Sequence, residues 1–336
     1  MRDVADRAGV AISSVSRVLS NNPDVSPVMR NRVLDAVAAL GYQKDMVAQS
    51  MRSGQTLSIG LVATDIANPV IAANSAGAVD ALHDHGYSLL ISNSQGDPDL
   101  DARYIRALKL RRADGLLLCL ADERHPETID VLRTFRGPIV LLDRSVPDEI
   151  TAGSVVNNYA DGMIQAVEHL LWLGHRRLAV INGAANIRPA RECTHAARRA
   201  VAACDGASVT VRTGPYTPEH GFAATRAVLA DRHPPTAVIV AGDQMLQGVL
   251  RALREEEMRC PYDVSLVSLD NAPLAEFLEP PLAQIRRQPL EMGACAAQLM
   301  LEQLGGAEPR RIVLPTRFVP AGSCAPPPTR PPRRAG

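Results

Sequence analysis

Val4-Ala5-Asp6-Arg7-Ala8-Gly9-Val10-Ala11-Ile12-Ser13-Ser14-Val15-Ser16-Arg17-Val18-Leu19 holds two short helical patterns joined through a glycine. That spacing predicts a helix-turn-helix. In the second pattern Val15, Val18 and Leu19 share one face, while small hydroxyl side chains and Arg17 share another. A rod of that build docks on a protein through its apolar side and presents a polar edge to the major groove of DNA. Just downstream, Ser26-Pro27 places a hydroxyl cap before a proline at a first helical position, and Met29, Val33, Val37 and Leu40 then recur at helical spacing until Gly41. Asn21-Asn22-Pro23-Asp24 supplies the turn between the second and third helices. So short a unit has no core except the facing apolar sides of its three helices.

The chain is 336 residues long, which exceeds one small helical domain and leaves room for a larger, two-lobed one. From residue 58 onward, short β-branched and leucine runs alternate with helical stretches. The runs 58–62, 87–92, 115–120, 138–142, 178–182, 237–241 and 265–269 are apolar on both sides of their register, as buried parallel strands are. Alternation of this kind builds doubly wound sheets. A second series of units starting near Asn158 predicts two lobes, with a ligand cleft at the carboxyl ends of the strands.

Composition limits the function. Lys plus Arg equals Asp plus Glu over the whole chain, so global charge does not argue for nucleic acid. Residues 1–56 carry six Arg and one Lys against five Asp, a net of +2, which is a modest attraction for phosphates. Contact with DNA must then come from positioned side chains and from pairing two chains. The six cysteines are scattered, with no C-x-x-C and no Cys/His cluster, so free thiols and no metal are expected. There is no apolar signal segment and no run of eighteen apolar residues, which predicts a soluble, cytoplasmic protein without a membrane partner. Residues 325–336 are rich in Pro and Arg and are expected to be disordered; they lack the heptad leucines of a tetramerising coil, which favours a dimer.

The ordered set Asp3-Val4-Ala5, Val15-Ser16-Arg17-Val18-Leu19, Val25-Ser26 and Leu40-Gly41-Tyr42 resembles the lactose/galactose repressor (LacI-type) family. The resemblance continues through nearly the whole chain: Gly60-Leu61-Val62 with Asn68-Pro69, Asp114-Gly115-Leu116, Leu142-Asp143-Arg144, His169-Leu170 with Leu173-Gly174-His175-Arg176-Arg177, Ala241 with Asp243, Asp263-Val264-Ser265, and Leu314-Pro315-Thr316. It implies an N-terminal helix-turn-helix domain (1–42), a hinge helix or linker (43–56), a two-lobed sensor domain of the periplasmic-binding-protein type that also dimerises (57–324), and a tail (325–336). The chain should cross between the lobes three times. Relative to the family pattern, the N-terminus is a few residues shorter, so that the sequence begins almost inside the first helix.

By that resemblance Ile12, Ser13 and Arg17 fall at groove-reading positions, with Ser14 and Ser16 on phosphates. Arg17 can bond guanine bidentately, whereas Ile12 offers only apolar contact to a thymine methyl. Ala11 stands where the family has a capping serine, which weakens the helix start by roughly 1 kcal/mol. In the linker, Gln49 and Met51 are the expected DNA contacts, Met51 as a wedge at a base step in the minor groove. Such a short helix is marginal alone and should order when two copies pack over DNA.

Polar residues at strand ends are the expected ligand contacts: Asp65, Asp143, Arg191, Asp243 and Asp270. The resemblance adds Tyr216, which falls where the family often carries a pocket aromatic. A carboxylate such as Asp270 accepts paired hydroxyls, as sugar recognition requires, and Tyr216 can stack on a sugar face. Each isolated Asp could equally be a helix cap, and Arg191 a surface ion pair. Gly242 replaces the asparagine usual before that aspartate, and the aromatic usual near Ala197 is missing, which predicts a larger or less sugar-like pocket. The function so implied is a ligand-responsive, sequence-specific transcriptional regulator, a repressor that binds a pseudo-palindromic operator as a homodimer, needs no cofactor and is controlled by a sugar or related metabolite. The alternatives are a nucleotide-binding enzyme of doubly wound fold and a solute-binding protein. G-x-G-x-x-G, G-x-x-x-x-G-K-[ST] and a nucleophile elbow are absent, which counts against the first; the N-terminal helices count against the second.

Overall fold

The computed structural model describes residues 1–19, 22–42, 54–272 and 275–328. They fall into two compact units, Met1–Thr56 and Leu57–Gly336. Gln49, Met51 and most of the predicted linker lie outside the described residues, as does the tail from residue 329.

In the first unit, α1 (Arg2–Ala8) ends at Gly9 with φ 63°, α2 (Ile12–Leu19) follows, and α3 (Pro27–Leu40) is capped at Ser26, whose hydroxyl accepts the amide of Met29 at 3.3 Å. Gly41 stops α3 in the left-handed conformation with φ 56°. Val4, Ala5, Ala8, Val15, Val18, Val33 and Ala36 form the core. Their side chains are small, so three short helices can approach closely. Arg32 of α3 donates to the Ala8 carbonyl at 2.6 Å, pinning the end of α1. Leu40, expected in the core row, is 41% exposed, because α1 and α2 are only seven and eight residues long and cannot cover all four turns of α3.

The second unit has two lobes with the same topology. In chain order its elements are β1 (Ser58–Ala63), α4 (Pro69–His83), β2 (Ser88–Asn93), α5 (Pro98–Leu110), β3 (Gly115–Leu118), α6 (Pro126–Arg133), β4 (Ile139–Leu142) and β5 (Gly153–Asn158). The other lobe repeats the series as α7 (Tyr159–Trp172), β6 (Arg177–Gly183), α8 (Arg188–Ala202), β7 (Ser208–Gly214), α9 (Pro218–Leu229), β8 (Ala237–Val240), α10 (Asp243–Glu255), β9 (Ser265–Leu269) and β10 (Ala283–Arg286). Then α11 (Pro289–Leu304) and β11 (Arg311–Pro315) return to the first lobe, and β12 (Arg317–Val319) to the second. The strand orders are β2-β1-β3-β4-β5-β11 and β7-β6-β8-β9-β10-β12. Every pairing is parallel except β10 with β12.

Alternate residues of the first sheet face two cores. Ile59, Leu61, Leu117, Val140 and Leu142 pack toward α4 and α11, while Val62, Leu116, Leu118, Ile139 and Leu141 pack toward the side that holds Ile105 and Leu132. That double burial is why the runs read as apolar without alternation. The stretch 87–92 departs from the expectation of a buried strand: β2 is an edge, paired only with β1, and Ile91 is 46% exposed. The chain crosses between lobes after Asn158, after Arg287 and at Thr316. Thr316 donates its hydroxyl to the Asn158 carbonyl at 2.6 Å, so the first and third crossings are tied together. The tail begins later than composition predicts. Ala325 belongs to the second lobe, its amide donating to Ser265 Oγ at 3.0 Å and its carbonyl lying 2.9 Å from His175 Nε2.

Candidate functional site

On α2, Val15 and Val18 are buried while Ile12, Ser13 and Arg17 are exposed and Ser14 and Ser16 half-buried. The helix therefore shows one polar edge. The Ala11 carbonyl accepts the amides of Ser14 and Val15 at 2.9 and 3.2 Å, so α2 forms with an alanine at its start.

In the second unit a cavity of about 740 Å³ lies between the lobes. It is lined by the carboxyl ends of strands from both sheets, as the topology requires, because loops there are free of sheet pairing. Asp65, Asp143, Tyr216, Asp243 and Asp270 line it. Arg191 does not. It projects from α8 at 41% side-chain exposure and pairs with Glu123 at 2.5 Å, an ion pair between the lobes beside the cleft. A surface pairing, one of the two roles its sequence allowed, is the role it has.

Asp143 follows β4 and Asp270 follows β9, equivalent places in the repeated topology. Both adopt positive φ, 53° and 125°. Such conformations cost a non-glycine residue about 1–3 kcal/mol and persist only when the surroundings hold them. Here the surroundings are charged. Arg287, at the second crossing, pairs with Asp270 at 2.5 Å and with Asp143 at 3.4 Å, and donates to the Tyr159 hydroxyl at 2.7 Å. Asp143 also accepts the Asn157 amide and the Tyr159 hydroxyl, each at 2.7 Å, and faces Arg188 at 3.4 Å. Arg287 thus links a carboxylate of each lobe to a tyrosine at the first crossing.

Burial pushes the Asp270 carboxyl above the ordinary range, and Arg287 opposes that rise. Burial works against the Arg287 charge, yet Asp270, Tyr159 and Asp143 raise its pKa further. Asp243 is pushed up to about 7, first by burial and then by the Asp270 charge. Burial also raises the Cys193 thiol, which lines the cleft, far from the thiolate range.

Two further bridges join the lobes. Asp65 accepts from Gln244 at 2.5 Å while its other oxygen closes a turn on the Ala67 amide at 2.9 Å. Glu123 accepts the Arg188 amide at 2.7 Å and the Ser145 hydroxyl at 2.8 Å in addition to Arg191. Tyr216 lies against Gly242, where a Cβ would meet its ring at 3.0 Å and where φ is 153°. The missing asparagine therefore makes room for a tyrosine ring rather than simply enlarging the pocket.

Arg287, Tyr159, Arg188 and Glu123 were not among the residues expected from sequence. Tyr159 and Arg287 each follow a strand end, at Asn157-Asn158 and at Ile285-Arg286, which is the signal that could have marked them.

A polar-edged helix-turn-helix and a two-lobed, charge-lined cleft in one chain define a ligand-responsive DNA-binding regulator. The family of bacterial regulatory proteins of the lacI type matches residues 1–45, and the periplasmic binding protein-like domain matches residues 167–324. The HTH-type transcriptional repressor PurR of Haemophilus influenzae is 30% identical over 311 residues, 90% of each chain. The ribose operon repressor of Escherichia coli is 31% identical over 310 residues, 90% of this chain and 92% of that one. Among solved structures, the Lac repressor dimer bound to operator and the anti-inducer ONPF matches with TM-score 0.84 at 27% identity, over 96% of this chain and 98% of that one. The transcriptional regulator CelR in complex with cellobiose matches with TM-score 0.73 at 30% identity, over the same shares. The chain belongs to the lacI family of transcriptional regulators.

Proposed function

We propose that this chain is a homodimeric, cytoplasmic repressor whose affinity for a pseudo-palindromic operator is set by a small hydroxyl-rich metabolite bound between the lobes. The observation that carries the proposal is the bridge Asp143–Arg287–Asp270, which joins one lobe to the other through the cleft and beside the crossings. A ligand whose hydroxyls compete for those carboxylates changes how the lobes meet. Ile12, Ser13 and Arg17 read bases in the major groove, Ser14 and Ser16 bind phosphates, and Gln49 and Met51 contact the minor groove from the linker. A non-catalytic role is supported by the relatives, which are named as repressors, and by the Cys193 thiol, which burial keeps protonated. No helix among the described residues is long and apolar enough to cross a membrane.

Purified protein screened by thermal shift against sugars, nucleosides and related metabolites identifies the ligand, because a ligand at free concentration L that binds the folded state stabilises it by RT ln(1 + L/Kd) and so raises the melting temperature more the tighter it binds. With that ligand, Asp270→Ala should weaken binding by roughly tenfold to a hundredfold, the effect of losing a buried charged acceptor. Operator binding in band shifts should survive, and its response to ligand should fade. Loss of operator binding by the folded variant would refute the separation of sensor from reader.

A further inference from the structure

Three carboxylates lining the cleft are buried: Asp143, Asp243 and Asp270. Asp143 and Asp270 each face a guanidinium. Asp243 is only 8% exposed, and among the described residues neither of its oxygens accepts a hydrogen bond. Its backbone amide is directed at the Asp270 carboxylate, and the Asp270 charge acts on its own carboxyl. The charged groups facing it are Asp270 from the end of β9 and Arg287 from the end of β10, and Arg287 is already engaged by Asp270, Asp143 and Tyr159. On the opposite wall, Asn74 of α4 is 5% exposed and its amide oxygen has no donor among the described residues. Both walls thus offer acceptors. Among the described lining residues five carboxylates, Asp65, Asp143, Glu219, Asp243 and Asp270, stand against the guanidiniums of Arg144 and Arg287, with Arg188 reaching Asp143 from behind the wall, which still leaves the acids in excess. A buried carboxylate needs a counter-charge or a proton, and a negatively charged ligand would deepen the surplus.

We propose that the effector is a hydroxyl-rich amine of mono- to disaccharide size, its protonated nitrogen seated against Asp243 and a hydroxyl donating to Asn74 Oδ1. The inference rests on the cleft being the effector site. A cavity of about 740 Å³ accommodates such a molecule with room for its hydroxyls at Asp143 and Asp270. Phosphorylated sugars and free carboxylates are disfavoured by the same charges. Without ligand, burial and Asp270 push Asp243 up to about 7. A seated ammonium supplies the missing counter-charge, so Asp243 gives up its proton to solvent when the amine binds.

Hexosamines, aminohexitols and amino-disaccharides, each paired with its hydroxyl parent, are the probes, titrated calorimetrically at pH 7 in two buffers of different ionisation heat. At least one amine should bind at least tenfold more tightly than its parent and release a fraction of a proton. Asp243→Asn, nearly isosteric, should abolish both the preference and the proton release. The inference is overturned if no amine of the panel binds, if parents bind as well as amines, or if the preference persists in Asp243→Asn. Parent binding that is lost in Asp270→Ala leaves the effector site standing and removes only the amine. Binding indifferent to both substitutions removes the effector site itself.

Discussion

Truncating Arg287 to alanine tests whether the inter-lobe bridge is electrostatic. Its side chain is 13% exposed, and its partners Asp270 and Asp143 are 2% and 6% exposed. Asp143 keeps Arg188, Asn157 and the Tyr159 hydroxyl, so the loss falls mainly on Asp270. Removing one partner of a buried pair costs about 3–5 kcal/mol while the other stays charged. Asp270 already titrates above its ordinary range through burial, and Arg287 is what opposes the rise, so the variant raises it further. An acid whose folded pKa lies above its unfolded value, about 4, contributes fully below that value and loses its contribution as pH rises through the folded one. The deficit of Arg287→Ala should therefore be small near pH 5 and grow toward pH 8. At pH 8 it corresponds to a drop of roughly 6–20 °C in melting temperature. Thermal denaturation of wild type, Arg287→Ala, Asp270→Asn and the double variant at both pH values measures it, and Asp270→Asn should recover most of the loss. An equal drop at both pH values, or no recovery in the double variant, would show that Arg287 acts by packing alone.

Arg17→Ala should relax base preference at one operator position at a cost of about 1–3 kcal/mol per contact, read by band shifts on a set of single-base operator variants. A uniform loss on every sequence would assign Arg17 to phosphate. Glu123→Gln removes one of the acceptors that hold Arg188, Ser145 and the half-exposed Arg191, so the ligand-free protein should open, with a larger radius of gyration in small-angle scattering. The expected cost is about 1–2 kcal/mol, kept low because solvent screens Arg191. Unchanged scattering would show that the lobes are held elsewhere.

The helix-turn-helix was legible because its signals are local. Ser26 before Pro27 and Gly41 after Leu40 mark the ends of α3 whatever surrounds them, and the structure places the cap bond and the left-handed stop at those residues. The expected cleft carboxylates were legible for a related reason, since Asp143 and Asp270 directly follow an apolar run and Asp65 and Asp243 come one residue later. Arg191 was misplaced, and Arg287 was not foreseen. Both are arginines near strand or helix ends, and nothing in their immediate neighbours tells which one turns inward.

Sequence by itself determined the two kinds of architecture, an apolar helical trio and a βα series whose strands are buried on both faces, because hydrophobic periodicity and capping act over a few residues. It also determined which strand ends carry acids. Only the tertiary structure decided that Asp143 and Asp270, 127 positions apart, meet the same guanidinium, that Gly242 yields its space to Tyr216, and that the Asp243 carboxyl is left without a hydrogen-bond partner among the described residues. Those outcomes depend on two separately folded sheets being brought face to face by three crossings. Charge compensation in a buried cleft is settled by distances of a few ångströms across that gap, and no local pattern encodes them.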